Sequence, residues 1–342
     1  MITIDGSYGS GGGQILRTAC SLAAVTKEPC HVFNIRKNRP KPGLATQHLL
    51  GIQSLAKLCN GKLEDDYLGS EEIKFHPGKD IISSISPLRI KIETAGSITL
   101  VLQTLILPAL FSSEPTKIIF NGGATDTFFS PTIDYFQYVF LEILKKLGIK
   151  VDIDIIKRGF YPAGGAKVEV TVYPTSLKPI SLLERGKLKQ IIIISGASEL
   201  LQKSKVAERQ LSGIKSVLGS KLKLPITEKA EYYSSLSPGS QVNIISEFEN
   251  TIIGTDNLGK LGKSAEMVGK ETAQNFLKEA RTEACLDKYL ADQILPYMAL
   301  SSGKSQVTVS EVTNHCKTNM WVIEKFLNGK FKIEDNQISW NR

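Results

Sequence analysis

The segment Asp5–Arg17, D-G-S-Y-G-S-G-G-G-Q-I-L-R, places five glycines and an arginine between a strand-like start and a helix-like run. Glycine admits positive φ and lets backbone N–H groups approach an anion with no side chain in the way. The helix that follows turns its positive dipole end to the same spot. Arg17 adds a permanent charge one turn in. Such a segment can hold a phosphate; the plainer alternative is a strand-to-helix turn. Two familiar phosphate loops do not fit. The spacing G-x-G-x-x-G fails at Gln14 and Leu16, and the nearest P-loop imitation, Gly254–Leu261, ends in Leu261 where a magnesium-binding hydroxyl is needed.

A second cluster, Ile35–His48, carries Arg36, Lys37, Arg39 and Lys41 ahead of a proline-glycine helix entry. Arginine forks suit phosphate oxygens, and a solvated basic loop is the alternative. There are four histidines. His31 begins a strand and His76 precedes a proline in a turn, both structural or solvent-facing; His48 sits in a helix after the basic run. His315, in T-N-H-C-K-T-N, falls between a predicted strand and helix beside polar residues able to orient its ring.

These groups need a scaffold. With 342 residues, 42% of them hydrophobic, the chain can fill two domains or one with an insertion. The net charge of +8, from 42 basic and 34 acidic residues, favours a polyanionic partner such as RNA or a nucleotide without choosing between them. Cys20, Cys30, Cys59, Cys285 and Cys316 are scattered, with no C-x-x-C pair, so neither a disulfide framework nor a structural zinc site is indicated. The apolar runs around Ile98–Phe111 and Ile191–Ile194 are too short or too interrupted to cross a bilayer. A cytoplasmic protein with no membrane partner is expected.

The periodicities predict strand Ile2–Asp5, helix Gln14–Thr26, strand His31–Arg36, helix Leu44–Leu58 and two short strands near Lys62–Asp65 and Ile73–Phe75. The order β-α-β-α-β-β returns from Leu88 to Tyr173, a repeat of about 80 to 90 residues. A shortened copy follows from Leu286 to Trp340, with a helix predicted over Lys317–Leu327. Its opening strand is missing from that place. The predicted α/β fold therefore has three β-α-β-α-β-β repeats, with a smaller α/β domain, residues 183–276, inserted in the third. Residues 1–182 and 277–342 form the main domain. Inside the insertion, strands Lys189–Ser195, Glu228–Tyr233 and Gln241–Phe248 and helices Lys203–Leu218 and Ala265–Glu279 are predicted, with a solvated turn at Asn257–Lys263.

With these pieces in view the chain resembles the RNA 3′-terminal phosphate cyclases. The matching segments are Asp5–Arg17; I-R-x-x-R-x-K-P-G-L-x-x-Q-H at Ile35–His48; L-V-L-Q-T at Leu100–Thr104; G-F-Y-P-A-G-G at Gly159–Gly165; Y-L-A-D-Q at Tyr289–Gln293; and H-x-x-T-N at His315–Asn319. The resemblance implies the same repeat architecture, one also found in enolpyruvyl transferases. It implies a reaction that joins ATP to an RNA 3′-phosphate, releases pyrophosphate, and closes the neighbouring 2′-hydroxyl onto the phosphate with loss of AMP. RNA 3′-phosphate ends and ATP would be the partners, and a divalent metal, Mg or Mn, would assist; oligomeric state stays open.

By motif position the resemblance makes His315 the nucleophile that forms a histidyl–AMP. Arg17, Arg36, Arg39, Gln47 and His48 would engage phosphates of ATP or RNA. Gln103, Pro131, Tyr289 and Asp292 would line the nucleotide site, with Pro131 and Tyr289 holding the adenine. One departure stands out: Ser10 occupies the place where the family carries a metal-binding glutamate, and a neutral hydroxyl is a weaker ligand. The runner-up reading is a non-catalytic cyclase-like protein that binds RNA or ribosome precursors. Such relatives typically lack the histidine and much of the arginine set, both present here. Enolpyruvyl transfer would need none of the H-x-x-T-N motif.

Overall fold

The computed structural model describes residues 1–81, 87–219 and 226–341. The fold is mixed α/β, as the periodicities indicate, and is organised around four four-stranded sheets. In the first, β1 (Ile2–Asp5) leads through α1 (Gly13–Thr26) to β2 (Cys30–Phe33), parallel to it. After α2 (Thr46–Leu58), β3 (Lys62–Glu64) and β4 (Ile73–His76) close the order β1-β2-β4-β3 with antiparallel pairs.

The second sheet has the same plan. β5 (Leu88–Ser97), α3 (Ile98–Ala109) and β6 (Thr116–Ala124) form the parallel pair. A helix built of α4 (Ile133–Tyr135), a π-helical turn (Phe136–Phe140) and α5 (Leu141–Lys146) follows. Then β7 (Val151–Lys157) and β8 (Lys167–Val172) give the order β5-β6-β8-β7.

Next in the chain comes β9 (Ser181–Leu182), and then a sheet of a different order. β10 (Leu188–Ser198), a 3₁₀ turn (Glu199–Ser204), α6 (Val206–Leu218), β11 (Ile226–Tyr233), β12 (Ser240–Phe248), β13 (Ile252–Leu258) and α7 (Ala265–Ala280) make β11-β10-β12-β13. The chain then returns through α8 (Lys288–Leu300), β14 (Ser305–Thr308), α9 (Asn314–Phe326), β15 (Lys330–Glu334) and β16 (Gln337–Asn341). Here β9 pairs parallel with β14, and β14-β16-β15 completes a sheet with the order and directions of the first two.

Helix α3 is apolar nearly all round and buried from Ile98 to Leu102 and from Thr104 to Ala109, which suits a helix enclosed by others. It packs against α1, α2 and α8, while α1 and α8 also pack on α9. Each Leu or Ile so buried contributes about 1.5–3 kcal/mol. Helices α6 and α7 cover β10 and β12 over a second apolar cluster that includes Ile191, Ile193, Ile214, Ile244 and Phe276.

A buried polar seam joins β12 and β13 to the helix after β6. Gln241 donates to Asp134 (2.7 Å), Thr132 donates through its hydroxyl to Asn243 (2.7 Å) and through its N–H to Asp256 (2.8 Å). Arg158 grips Asp134 with two bonds of 2.8 and 2.6 Å and reaches Asp126 at 3.3 Å. Such a network is strong only when every member is satisfied.

Several local expectations are corrected. The strand predicted to reach Arg36 stops at Phe33, because Asn34 and Arg36 take positive φ of 52° and 55°. β13 was not foreseen: Gly254, Asp256 and Asn257 are poor strand formers, yet Gly254 is required, since a Cβ there would lie 2.5 Å from Val139. The helix carrying His315 begins at Asn314, not Lys317, because Thr313 caps it by accepting from the Cys316 N–H at 3.2 Å. All five cysteines are free and buried, and no helix among the described residues is long and apolar enough to cross a membrane.

Candidate active site

The glycine segment is a tight loop lying across the first turns of α9. Asp5 ends β1 and accepts from the Ser7 N–H and hydroxyl at 2.9 and 2.7 Å. Gly9 and Gly11 hold φ of 55° and 54°, where a side chain would strain the backbone. Gly9 also presses on Thr318, whose hydroxyl accepts the Ser10 N–H at 3.1 Å. Helix α1 then begins with Gly12 as N-cap, without a side-chain cap and with no acidic residue in its first turn. Its leading N–H groups and positive dipole end are thus left for an anion. Two buried oxygens beside this end, Ser10 Oγ and Gln14 Oε1, have no hydrogen-bond partner.

His315 stands in the first turn of α9, its side chain 50% exposed, with Nδ1 3.9 Å from Asp292 Oδ2. Gln14 ties the two elements together, donating to Asp292 Oδ2 at 2.9 Å and to the His315 carbonyl at 3.0 Å. Asn319 donates to the Asp292 carbonyl at 2.8 Å and accepts from Thr18 at 2.8 Å. Burial lowers the His315 pKa from its ordinary value, and the charges of Arg17 and Arg39 lower it further, so the ring is neutral at pH 7. Burial pushes the Asp292 carboxyl up to about 7, against the pull of Arg17. Arg17, brought down to about 10 by burial and held up by Asp292, remains a cation. With Nδ1 turned to Asp292, Nε2 is the ring nitrogen that does not face that carboxyl.

A narrow cavity where α1, α3, α8 and α9 meet is lined by Gln14, Arg17, Gln103, Asp292, Gln293 and Asn319, among others. Gln103 donates to Gln293 at 2.7 Å, and Gln293 donates to the Tyr289 carbonyl at 2.6 Å. Pro131 and Tyr289 are not part of that lining; the Pro131 carbonyl accepts from Thr99, one turn before Gln103, at 3.0 Å. Tyr289 opens α8 and is 52% exposed. Asp287 caps that helix, accepting the Tyr289 and Leu290 N–H groups at 3.0 Å, while also taking the Tyr135 hydroxyl at 2.7 Å.

On the basic side, Arg39 donates to the Ser10 carbonyl at 3.0 Å and so lies on the glycine loop. Arg36 donates to the Gly43 carbonyl at 2.8 Å, and Gln47 accepts the Ser97 N–H at 3.2 Å. His48 is buried with Nε2 against Gly13, and its Nδ1 accepts the Ala45 N–H at 3.3 Å. Burial, with Arg17 and Arg36 nearby, takes its pKa down to about 3, so it is a neutral ring beneath the loop. His31 and His76 lie away from this group, paired with Glu72 and Glu64.

Arg17, Arg39, Asp292 and His315, drawn from four separate segments at the two ends of the chain, therefore share one site. Gln14, Thr18, Gln293 and Asn319 belong to it without having been singled out. Three of them stood inside the matched motifs, and Thr18 follows directly after one. Among the described residues no three His, Cys, Asp or Glu side chains converge to hold a metal ion. The unpartnered donors beside the loop, Ser10 Oγ and Gln14 Oε1, are uncharged and stand near Arg17 and Arg39, and the carboxylates of Asp5 and Asp292 are already taken up by Ser7 and Gln14, which does not fit a protein-built divalent metal site.

Comparison with known proteins adds an independent line. A family model described as RNA 3′-terminal phosphate cyclase matches residues 8–333. An RNA 3′-terminal phosphate cyclase of Pyrococcus abyssi is 44% identical, covering 98% of this chain and 95% of the relative. One of Sulfurisphaera tokodaii is 42% identical over 97% of this chain and 96% of its own length. Among solved structures, the enolpyruvyl transferase NikO from Streptomyces tendae matches at 9% identity and TM-score 0.27, over 99% of this chain and 81% of that one, too remote to bear on the fold.

Proposed function

The chain belongs to the RNA 3′-terminal phosphate cyclase family, and on that premise we propose that it is an ATP-dependent enzyme converting an RNA 3′-phosphate into a 2′,3′-cyclic phosphate. The observation that carries the reading is the neutral His315 imidazole, aimed by Asp292 beside Arg17 and Arg39.

In the proposed sequence, Nε2 of His315 attacks the α-phosphorus of ATP and pyrophosphate leaves. The ring becomes a cation, its Nδ1–H facing the Asp292 carboxylate. An oxygen of the RNA 3′-phosphate then attacks the same phosphorus, the P–N bond breaks, and His315 returns to neutrality. Finally the 2′-hydroxyl attacks the RNA phosphorus, loses its proton and expels AMP. Arg17 and Arg39, with the open N-terminus of α1, hold the phosphoryl oxygens through these steps. Arg36 and Gln47 serve the same phosphates from the rim, while His48 supports the loop from beneath. Gln103, Pro131 and Tyr289 line the nucleotide pocket. Among the described residues none builds a metal site, so no step is assigned to a divalent ion.

We read the three sheets of like order as three copies of one β-α-β-α-β-β unit, with residues 183–276 inserted in the third between β9 and α8. A cytoplasmic location fits this chemistry.

The test is to incubate the protein with ATP, a divalent metal and a 3′-phosphorylated RNA. The expected product has an end resistant to phosphatase. An RNA that binds yet stays phosphatase-sensitive across several metals would replace the enzyme reading with that of an RNA-binding scaffold.

A further inference from the structure

The glycine loop presents an aromatic ring that the phosphate chemistry does not use. Tyr8 stacks on Trp321 with ring centroids 4.1 Å apart and planes 16° from parallel. It remains 45% exposed, so one face packs on the indole and the other meets solvent. Trp321 lies on α9 three residues beyond Thr318, which itself lies three beyond His315. The stack therefore sits about 9 Å along the helix from the reacting histidine, at 1.5 Å per residue.

Cations ring it. Lys325 holds its ammonium 5.5 Å from the centre of the Trp321 ring. Arg39 bonds the carbonyl of Ser10, two residues from Tyr8, and belongs to a basic stretch in which Lys37 and Lys41 are also exposed. An exposed aromatic face flanked by positive side chains is the arrangement that binds single-stranded nucleic acid, because every base has a π-face and every linkage a negative charge. Nothing in the adenylation steps calls for a ring at position 8. Glycine, serine or alanine would serve a phosphate loop as well there; Trp321 packs on the core, while Tyr8 stands exposed above it.

We propose that Tyr8, backed by Trp321, is a stacking platform for a base of the RNA strand just before its 3′-phosphate, with Arg39 and Lys325 meeting the neighbouring backbone. The strand would thus reach His315 along the outer face of α9. This rests on the cyclase reading for the identity of the RNA end, but its test does not depend on catalysis.

The measurement is the affinity of a labelled 3′-phosphorylated decaribonucleotide, by fluorescence anisotropy, for the wild type, Tyr8→Ala and Tyr8→Phe, with melting temperatures compared to establish that each is folded. Tyr8→Ala is expected to bind about tenfold more weakly, and Tyr8→Phe, which keeps the ring, within about twofold of the wild type. A folded Tyr8→Ala that binds the decamer like the wild type overturns the platform. So does one that loses affinity for ATP instead, since the ring would then serve the nucleotide. A wild type that binds RNA through Tyr8 but forms no cyclic end sinks the cyclase reading and leaves the platform standing; cyclisation with Tyr8-independent affinity does the reverse.

Discussion

Replacing Asp292 by asparagine removes the carboxylate that faces His315 Nδ1 at 3.9 Å while keeping the shape of the side chain. Two unit charges 3.9 Å apart interact by about 4 kcal/mol at an effective dielectric constant near 20 and by about 1 kcal/mol in water. The His315 side chain is half in solvent, 50% exposed, so about 2 kcal/mol of stabilisation of the imidazolium-like transition state is expected. That corresponds to roughly 30-fold in the rate of histidine adenylylation. The pH profile gives the sharper signature. Burial places the Asp292 carboxyl at about 7, so its charge, and the help it gives, is present above that pH and lost below it. Burial, with Arg17 and Arg39, lowers His315 from its ordinary value, so its own protonation is moved toward acid. Wild-type adenylylation, followed by transfer of α-phosphate label from ATP at saturating nucleotide, should therefore rise between pH 6 and 8. Asp292→Asn should be slow and flat there. A variant that keeps the rise, or loses less than about threefold, refutes the assignment of Asp292 to His315.

Three further perturbations follow from the packing. Gly13→Ala would put a methyl 2.6 Å from Cε1 and 2.8 Å from Cδ2 of His48; about 1–3 kcal/mol of destabilisation is expected, partly relieved by adding His48→Ala, and an unchanged melting temperature would show that the close approach is absent. Asp134→Ala leaves Arg158 buried with its two strongest bonds broken and should cost about 3–5 kcal/mol in urea denaturation; a loss under about 1 kcal/mol would show the seam to be well solvated. Ser10→Glu adds a carboxylate where the hydroxyl has no partner and should lower the metal concentration for half-maximal adenylylation. If metal dependence does not move, position 10 does not face the metal.

The mixed α/β class was legible because long apolar periodicities mark α1, α3 and α8 whatever their surroundings. Two strands were not. β9 is two residues whose partner, β14, lies more than a hundred residues later, and β13 is held by contacts that outweigh the poor strand preferences of Gly254, Asp256 and Asn257. At the site, the glycine loop showed in the sequence because positive φ at Gly9 and Gly11 demands that residue type. The position of His315 inside α9 hung on the Thr313 cap, a single hydroxyl in a run of polar residues. The link from Asp292 through Gln14 to His315 and the stacking of Tyr8 on Trp321 join residues at opposite ends of the chain. No local pattern encodes either; only the packing of α1 on α9 brings them together.

The central claim is that His315 is the group that takes the nucleotide. Protein incubated with ATP labelled in the α-phosphate and a divalent metal should become covalently labelled, with the label stable to alkali, sensitive to acid as a phosphoramidate is, and absent from His315→Ala. A wild type left unlabelled across several metals, or a label that survives in His315→Ala, would contradict it.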